Sequence, residues 1–291
     1  MLGNNIFFLL LLYVIIYIPC CYIVFRVTAP FTEQRFFDEM HGLADASGID
    51  YQMILRLNLF AEVTKASCSF FGAWGPATVG GKTFQLRALD YDTVGPFKDY
   101  HVIQIYHPTD GGHPFGMLGW PGSIGMMTGF SSNQMAISEI GVSFADDSFG
   151  QGTDNTPPEK VHGKPWLFVT RDAMQFEESI YSAEDTIAST NRTCNLIIGV
   201  GDGKAGVVNG IEYSGYVAVP YNDSTLLPVN DTWHSQIEGV VYNGMDWLCA
   251  VLFIYLKIYC SCGRIHFLLI FLLYWFIYYD IYTFNFLFDI F

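Results

Sequence analysis

One stretch constrains the fold more than any other, residues 68–92, which read CSFFGAWGPATVGGKTFQLRALDYD. It predicts two short strands, Cys68–Trp74 and Thr83–Tyr91, joined by a turn at a Gly-Gly pair that can adopt positive φ. The hairpin brings the thiol of Cys68 close to a neighbouring strand, near whose end lie three charged residues, Arg87, Asp90 and Asp92. These groups suit covalent catalysis, because the thiolate attacks, a carboxylate orients and a guanidinium holds charge.

Three other chemistries have weaker support. A metal site could use His101, His107 and His113, but six extended residues span roughly 20 Å, so one shared ion would need the chain to fold back. The run Cys68-Ser69-Phe70-Phe71 lacks the local signature of papain-type proteases. The run Gly199-x-Gly201-x-Gly203 precedes a second predicted strand rather than a helix, which argues against a dinucleotide site. For Cys68 itself, the alternative is a small side chain buried in the core.

Composition excludes some partners. The 291 residues allow one large domain or two small ones with a substantial core. The formal net charge is -14 and no basic stripe is visible, so no nucleic-acid partner is expected. The sequence contains seven cysteines and no CxxC pair: Cys20, Cys21, Cys68, Cys194, Cys249, Cys260 and Cys262. The sequence leaves open whether Cys194 and Cys249 form a disulfide.

The N-terminal end is apolar. Ile6–Phe25 carries no charge, which suits a signal peptide or signal anchor within residues 1–29. Arg26 follows this run, and the positive-inside rule alone would place the following domain in the cytosol. Three sequons favour instead a secreted protein or one of the lysosomal or endomembrane lumen, with or without a membrane anchor; their asparagines are Asn191, Asn222 and Asn230.

The C-terminal end, residues 250–291, consists mostly of Phe, Tyr, Ile and Leu, with one glycine and no proline. Phe267–Tyr279, a run of 13 uncharged residues, is short for a membrane span. The tail is therefore either a poor membrane anchor or a translated non-coding segment. It lacks turn residues and alternating polar positions, so we expect that it does not complete the preceding domain and that the chain as written is inactive or misfolded.

Between these ends the predicted elements come in blocks. Residues 31–66 are mainly helical, and strands follow over 101–106 and 135–143. A helix opens at Gly163-Lys164-Pro165, and the pattern Ser182-x-x-Asp185 predicts the cap of a second helix. Two further strands are predicted over 194–200 and 204–213. The polar run Phe144–Pro158 is a plain surface loop or a cover over a substrate cleft. Strands, two helices and strands again predict an α+β fold with antiparallel sheets.

The predicted hairpin also carries a family resemblance. Cys68 followed by Arg87-Ala88-Leu89-Asp90-Tyr91 resembles the Cys…Arg-Asn-Leu-Asp-Trp pattern of N-terminal-nucleophile hydrolases. The group it resembles most is the isopenicillin N acyltransferase-like family, whose name-giving activity is that of acyl-coenzyme A:6-aminopenicillanic acid acyltransferase. Choloylglycine hydrolase and acid ceramidase are more distant. Met40–Asp50 and Leu57-Asn58-Leu59 resemble the segment before the nucleophile in this family, and the likeness runs from about Phe36 to about Cys249.

The resemblance implies an architecture and a set of functional residues. The fold would be a four-layer αββα sandwich, incomplete at its C-terminus, with residues 30–67 as a pro-segment and residues 68–249 as the hydrolase domain. Self-processing would cut between Ser67 and Cys68. The expected catalytic residues are Cys68, Arg87, Asp90, Asn133 and Asn195, the two asparagines being candidates for the oxyanion hole.

The expected function is a self-processing cysteine amidohydrolase or acyltransferase acting on linear carbon–nitrogen amide bonds. Its substrate would be a small-molecule or lipid-like acyl amide, and no cofactor or metal is expected. Membrane association could occur through residues 6–25 and the C-terminal tail. The alternative is a catalytically inactive, membrane-tethered glycoprotein with a decayed hydrolase fold.

Overall fold

The structure, a computed structural model, describes residues 18–64, 67–90, 96–141, 160–225, 236–244 and 284–290. Short 3₁₀ turns at Ala29–Phe31 and Phe60–Glu62 follow the first and third helices. The helices are α1 Ile18–Thr28, α2 Gln34–Ser47, α3 Tyr51–Leu59, α4 Pro96–Asp99, α5 Trp166–Phe176 and α6 Ile180–Ser189.

The strands form two antiparallel sheets. A smaller sheet has the order β10-β1-β2-β11, and a larger one runs β3-β4-β5-β6-β7-β8-β9. The strands are β1 Ser67–Gly75, β2 Gly81–Asp90, β3 Val102–Tyr106, β4 Phe115–Gly119, β5 Thr128–Ser131, β6 Met135–Gly141, β7 Asn195–Asp202, β8 Val207–Ser214, β9 Ala218–Tyr221, β10 Val240–Gly244 and β11 Phe284–Ile290.

The two sheets pack face to face around an intersheet core. This core consists of Cys68, Phe70, Leu89, Ile140, Ile197, Val208, Tyr221 and Val241. Close approach depends on missing side chains: a Cβ at Gly199 would lie 2.1 Å from Cε2 of Phe70, and one at Gly72 would lie 2.6 Å from Cβ of Val208. Both glycines therefore let the sheets come closer than any larger residue would allow.

Helices cover the opposite face of the larger sheet. On β7, Ile197 belongs to the intersheet core, whereas Leu196 and Ile198 pack with the helices, as strand alternation requires. Helix α2 joins this second core through Phe36, whose ring stacks on Phe168 of α5 at a centroid distance of 4.2 Å. The predicted α+β class with stacked antiparallel sheets is confirmed. The described residues supply the two sheets and one helical layer.

Helix ends follow local signals, with one correction. Asp50 caps α3 by accepting from the backbone N–H of Gln52, and α2 ends at Gly48, whose φ is 70°. The capping box of α6 was predicted at Ser182 and Asp185, but Ser179 is the N-cap and Ser182 is its partner at the third helical position. The prediction was three residues late because both serines offer the same hydroxyl.

The predicted strands are present with shifted bounds. All seven residues of strand β6 are buried, because helices cover one face and the smaller sheet covers the other. The return strand β8 begins at Val207 rather than at residue 204. Before it, Asp202 accepts from the backbone N–H groups of Lys204 and Ala205 and holds that segment in a turn.

Both ends of the chain contribute to the fold where the structure describes them. In α1, Cys21 and Val24 are buried, and Val24 packs into the helical core. Strand β11 pairs antiparallel with β2, so residues 284–290 of the tail extend the smaller sheet and satisfy a backbone edge of β2. Within the described ranges, no helix has the length and apolar character needed to cross a bilayer. The run 142–159, Asn230 and Cys249 lie outside the described residues.

Candidate active site

Cys68 is the second residue of β1 and faces the larger sheet. Its neighbours in register are set by the hairpin: Cys68 lies opposite Leu89, and Phe70 lies opposite Arg87. Cys68 and Arg87 are therefore diagonal neighbours on one face of the sheet, a spacing that long side chains bridge. Cys68 is only 1% exposed.

Arg87 links the nucleophile candidate to the larger sheet. Its Nη2 lies 3.3 Å from Sγ of Cys68 and 3.1 Å from Oε2 of Glu139. Its Nη1 donates to Oγ1 of Thr128 at 3.3 Å, and its Nε donates to the backbone oxygen of Glu139. A guanidinium beside sulfur stabilises the thiolate, which is the nucleophilic form. The predicted pairing of Cys68 with Arg87 is therefore present in the folded chain.

Glu139 is a residue that the sequence analysis missed. It lies on β6 and is 4% exposed. Burial raises the pKa of Glu139 to about 7 from its ordinary value of 4.5, and the neighbouring Arg87 opposes this rise without cancelling it. Its signal in the sequence was a lone charge within the otherwise uncharged strand Met135–Gly141.

A cavity of about 310 Å³ opens beside Arg87 and Glu139. Its walls are mostly apolar, and one wall comes from residues that precede the first strand. Those residues are Leu57, Phe60, Ala61, Glu62, Val63 and Thr64. The opposite walls include Leu89, Trp120, Met127 and Leu167. A mostly apolar cavity with a few charged groups in its lining has the layout of a small-molecule site.

The structure describes the two predicted carboxylate residues, Asp90 and Asp92, only in part. Asp90 is the last residue of β2, and its backbone lies opposite Ser67, the residue before the nucleophile candidate. The side chain of Asp90 and all of Asp92 lie outside the described part of the structure. The orienting role of Asp90 therefore stays a prediction. Among the described side chains, the carboxylate that contacts Arg87 is that of Glu139.

The two oxyanion-hole candidates lie at opposite ends of the larger sheet. Asn133 lies in the turn before β6, where its Nδ2 is 3.4 Å from the backbone oxygen of Glu177. Six residues of extended chain, roughly 20 Å, separate it from Glu139, so the structure does not bring it to Cys68. Asn195 begins β7, beside the pairing of Leu196 with Gly141, and Leu196 and Gly141 both line the cavity. Its predicted role remains compatible with its position.

Other predicted sites are distributed over the surface and the core. Asn191 is exposed, and Asn222 is half-buried with its Oδ1 accepting from the backbone N–H of Ser224 at 2.9 Å. Cys194 is 6% exposed, and its Sγ lies 3.3 Å from Oε2 of Glu62. Across the described ranges, no three His, Cys, Asp or Glu side chains form a group that could hold a metal ion.

Comparisons with known proteins find two curated relatives in Dictyostelium discoideum. Protein dcd1B is 38% identical over 207 residues, which cover 70% of this chain and 39% of that protein. Protein dcd1A is 36% identical over 227 residues, which cover 74% of this chain and 49% of that protein. The chain thus spans less than half the length of either relative. No protein-family model matches the chain.

Three solved structures align with part of this chain. An N-acylethanolamine-hydrolyzing acid amidase ortholog of Caenorhabditis elegans gives a TM-score of 0.42 at 18% identity, over 62% of this chain and 72% of that one. A variant of the conjugated bile acid hydrolase of Clostridium perfringens gives 0.38 at 12%, over 64% and 57%. Penicillin V acylase of Agrobacterium tumefaciens gives 0.36 at 11%, over 53% and 49%.

Proposed function

We propose that this chain encodes a self-processing cysteine amidohydrolase or acyltransferase of the N-terminal-nucleophile type. The observation that carries the proposal is the contact between Sγ of Cys68 and Nη2 of Arg87 at 3.3 Å, inside the face between two antiparallel sheets. If Cys68 only filled space in the core, its thiol would not require a charged partner. A buried arginine at the sulfur instead suits a thiol that carries negative charge during reaction.

The first step is cleavage of the chain itself. Sγ of Cys68 attacks the carbonyl carbon of Ser67, and the bond from that carbon to the nitrogen of Cys68 breaks. The nitrogen leaves as the new α-amino group, taking up the thiol proton, and Ser67 becomes joined to sulfur as a thioester. Water then hydrolyses the thioester, which leaves a carboxylate on Ser67 and restores the thiol. The reaction consumes one water and needs no metal or nucleotide.

The second step is turnover of an external amide. An α-amino group titrates near roughly 7.7–8.0 and can therefore accept the thiol proton of its own residue near neutral pH. The sulfur attacks the substrate carbonyl, the amine departs with a proton, and an acyl-enzyme forms. Water completes hydrolysis, whereas an amine or thiol acceptor completes acyl transfer. Asn195 is our candidate for a donor to the developing oxyanion.

The substrate class follows from the cavity beside Arg87. About 310 Å³ with walls such as Leu89, Trp120 and Leu167 suits a compact apolar acyl group. Arg87, whose Nη2 contacts Sγ of Cys68, lines this cavity together with Glu139. We therefore propose an acyl amide with an apolar acyl portion as substrate. We also propose a secreted or lumenal location, in which the sequon of the exposed Asn191 would be glycosylated.

The test compares the wild-type chain with Cys68→Ala. Intact-mass measurement and N-terminal sequencing should find a new terminus at Cys68 in the wild type and an uncut chain in the variant. A thiol-reactive acyl probe should label the wild type alone. An uncut wild-type chain that still hydrolyses amides would refute self-processing. Equal labelling of both proteins would favour the rival, a non-catalytic glycoprotein with a decayed hydrolase fold.

A further inference from the structure

The 3₁₀ turn Phe60–Glu62, just before the first strand, is fixed to the core by hydrogen bonds. Oε1 of Glu62 accepts from the backbone N–H of Trp166 at 2.9 Å. Oε2 of Glu62 lies 3.3 Å from Sγ of Cys194. The indole Nε1 of Trp166 donates to the backbone oxygen of Ala61 at 3.2 Å. The Glu62 side chain and the backbone of Ala61 therefore both attach the turn to the rest of the fold.

The two residues that contact the Glu62 carboxylate, Trp166 and Cys194, are themselves held in place by the backbone around them. Trp166 is the first residue of α5, so its N–H is one of the amides that a helix leaves without an internal partner, and a carboxylate is favoured there. Cys194 has a φ of 59°, a left-handed conformation that persists only where its surroundings hold it. Its backbone N–H donates to the oxygen of Lys160 at 3.2 Å.

This anchor lies close to the bond that the proposed function requires to be cut. Beyond Glu62, Thr64 closes the turn by donating from its N–H and its hydroxyl to the oxygen of Phe60, at 3.1 and 2.9 Å. Only three residue steps, at most about 10 Å of chain, then separate Thr64 from Ser67. On the other side of the bond, Cys68 is held by β1 and Arg87.

We propose that Glu62 is a positioning residue for self-cleavage; this inference rests on the function proposed above. By pinning the turn to α5 and Cys194, Glu62 limits where the Ser67 carbonyl can lie relative to the Cys68 thiol. Intramolecular attack is steeply sensitive to such placement. Glu62 acts through the placement of the turn, so its effect is on the rate at which the uncut chain becomes two fragments.

The experiment follows self-cleavage of the full chain made by cell-free translation, with fragments separated at timed intervals. Glu62→Ala removes both acceptors and should slow cleavage at least tenfold, about 1.4 kcal/mol in activation free energy. Glu62→Gln retains a carbonyl oxygen for Trp166 and should cleave within threefold of wild type. Glu62→Asp draws the carboxylate back by one methylene and should slow cleavage at least threefold, which keeps the test decisive if the alanine variant misfolds.

The matched control is Glu33→Gln. Glu33 also joins the predicted pro-segment to the core, through an ion pair with Lys164 at 2.6 Å, but far upstream of the cut. It should cleave at the wild-type rate. The inference is overturned if Glu62→Ala and Glu62→Asp cleave as fast as wild type, if Glu62→Gln is as slow as Glu62→Ala, or if Glu33→Gln is equally slow. A wild-type chain that stays uncut refutes the proposed function and this inference together.

Discussion

Glu139 contributes to the pH dependence of the stability of the folded chain, and Glu139→Gln should remove that contribution. Its folded-state pKa of about 7 exceeds the ordinary 4.5 because burial outweighs the attraction of Arg87. The folded chain therefore binds a proton at this site between pH 4.5 and 7 that the unfolded chain has released. The associated stability is fully present below pH 4.5 and is lost as pH rises through 7.

The magnitude follows from the two pKa values. Each factor of ten in proton affinity corresponds to about 1.4 kcal/mol, so the stability attributable to Glu139 falls by roughly 3 kcal/mol at most between pH 4.5 and 8. Glutamine has nearly the same shape, keeps an acceptor for Arg87 and does not titrate. The two proteins should be about equally stable near pH 5, and the glutamine variant should be the more stable at pH 8.

The assay is urea unfolding at a series of pH values, with Cys68→Ala in both proteins to keep them uncut. Asp172 also has a pKa raised by burial, which outweighs its attraction to Lys164, and it contributes a pH dependence of the same sign. Because Asp172 is present in both proteins, its contribution cancels in the difference of unfolding free energies. A difference in unfolding free energy between the two proteins that stays constant from pH 5 to pH 8 would refute the account of Glu139.

Three further substitutions and one control test side-chain packing, all by urea unfolding. Arg87→Met leaves the Glu139 carboxyl buried without its ion-pair partner and should cost about 3–5 kcal/mol above pH 7, with a smaller loss near pH 5; a loss that does not change with pH would contradict this. Gly199→Ala places a methyl 2.1 Å from an aromatic ring on β1 and should lower the free energy of unfolding by about 1–3 kcal/mol. The control Gly42→Ala, with no atom within 4 Å, should be neutral or stabilising. Equal losses of stability in the two variants would contradict the tight contact between the sheets. Asn58→Ala removes two donor contacts and one acceptor contact of a fully buried amide and should cost about 1–3 kcal/mol; a change below about 0.5 kcal/mol would contradict that.

The sequence predicted the central hairpin because its signals are local. Gly80 and Gly81 adopt φ values of 76° and 72°, as a turn between antiparallel strands requires. Once the turn is fixed, the alternation of side chains puts Cys68 and Arg87 on one face. Their proximity could therefore be read from about twenty residues, and the structure contains it.

The positions of the two asparagines could not be read in the same way. Asn133 and Asn195 each stand next to a predicted strand, and nothing near either one says which end of the sheet it occupies. The antiparallel pairing of β6 with β7 places Asn195 near Gly141 and leaves Asn133 at the other end. That outcome depends on strand order and register over some sixty residues of chain.

The sequence by itself determined the hairpin, the α+β class and the pairing of Cys68 with Arg87, because backbone dihedral preferences and side-chain periodicity act over a few residues. The tertiary structure alone decided that Glu139 contacts Arg87, that Glu62 reaches the start of α5, and that Phe284–Ile290 extends the smaller sheet. Each of these contacts joins segments distant in the chain. Their partners are fixed by how two sheets and a helical layer pack, and no local pattern encodes that register.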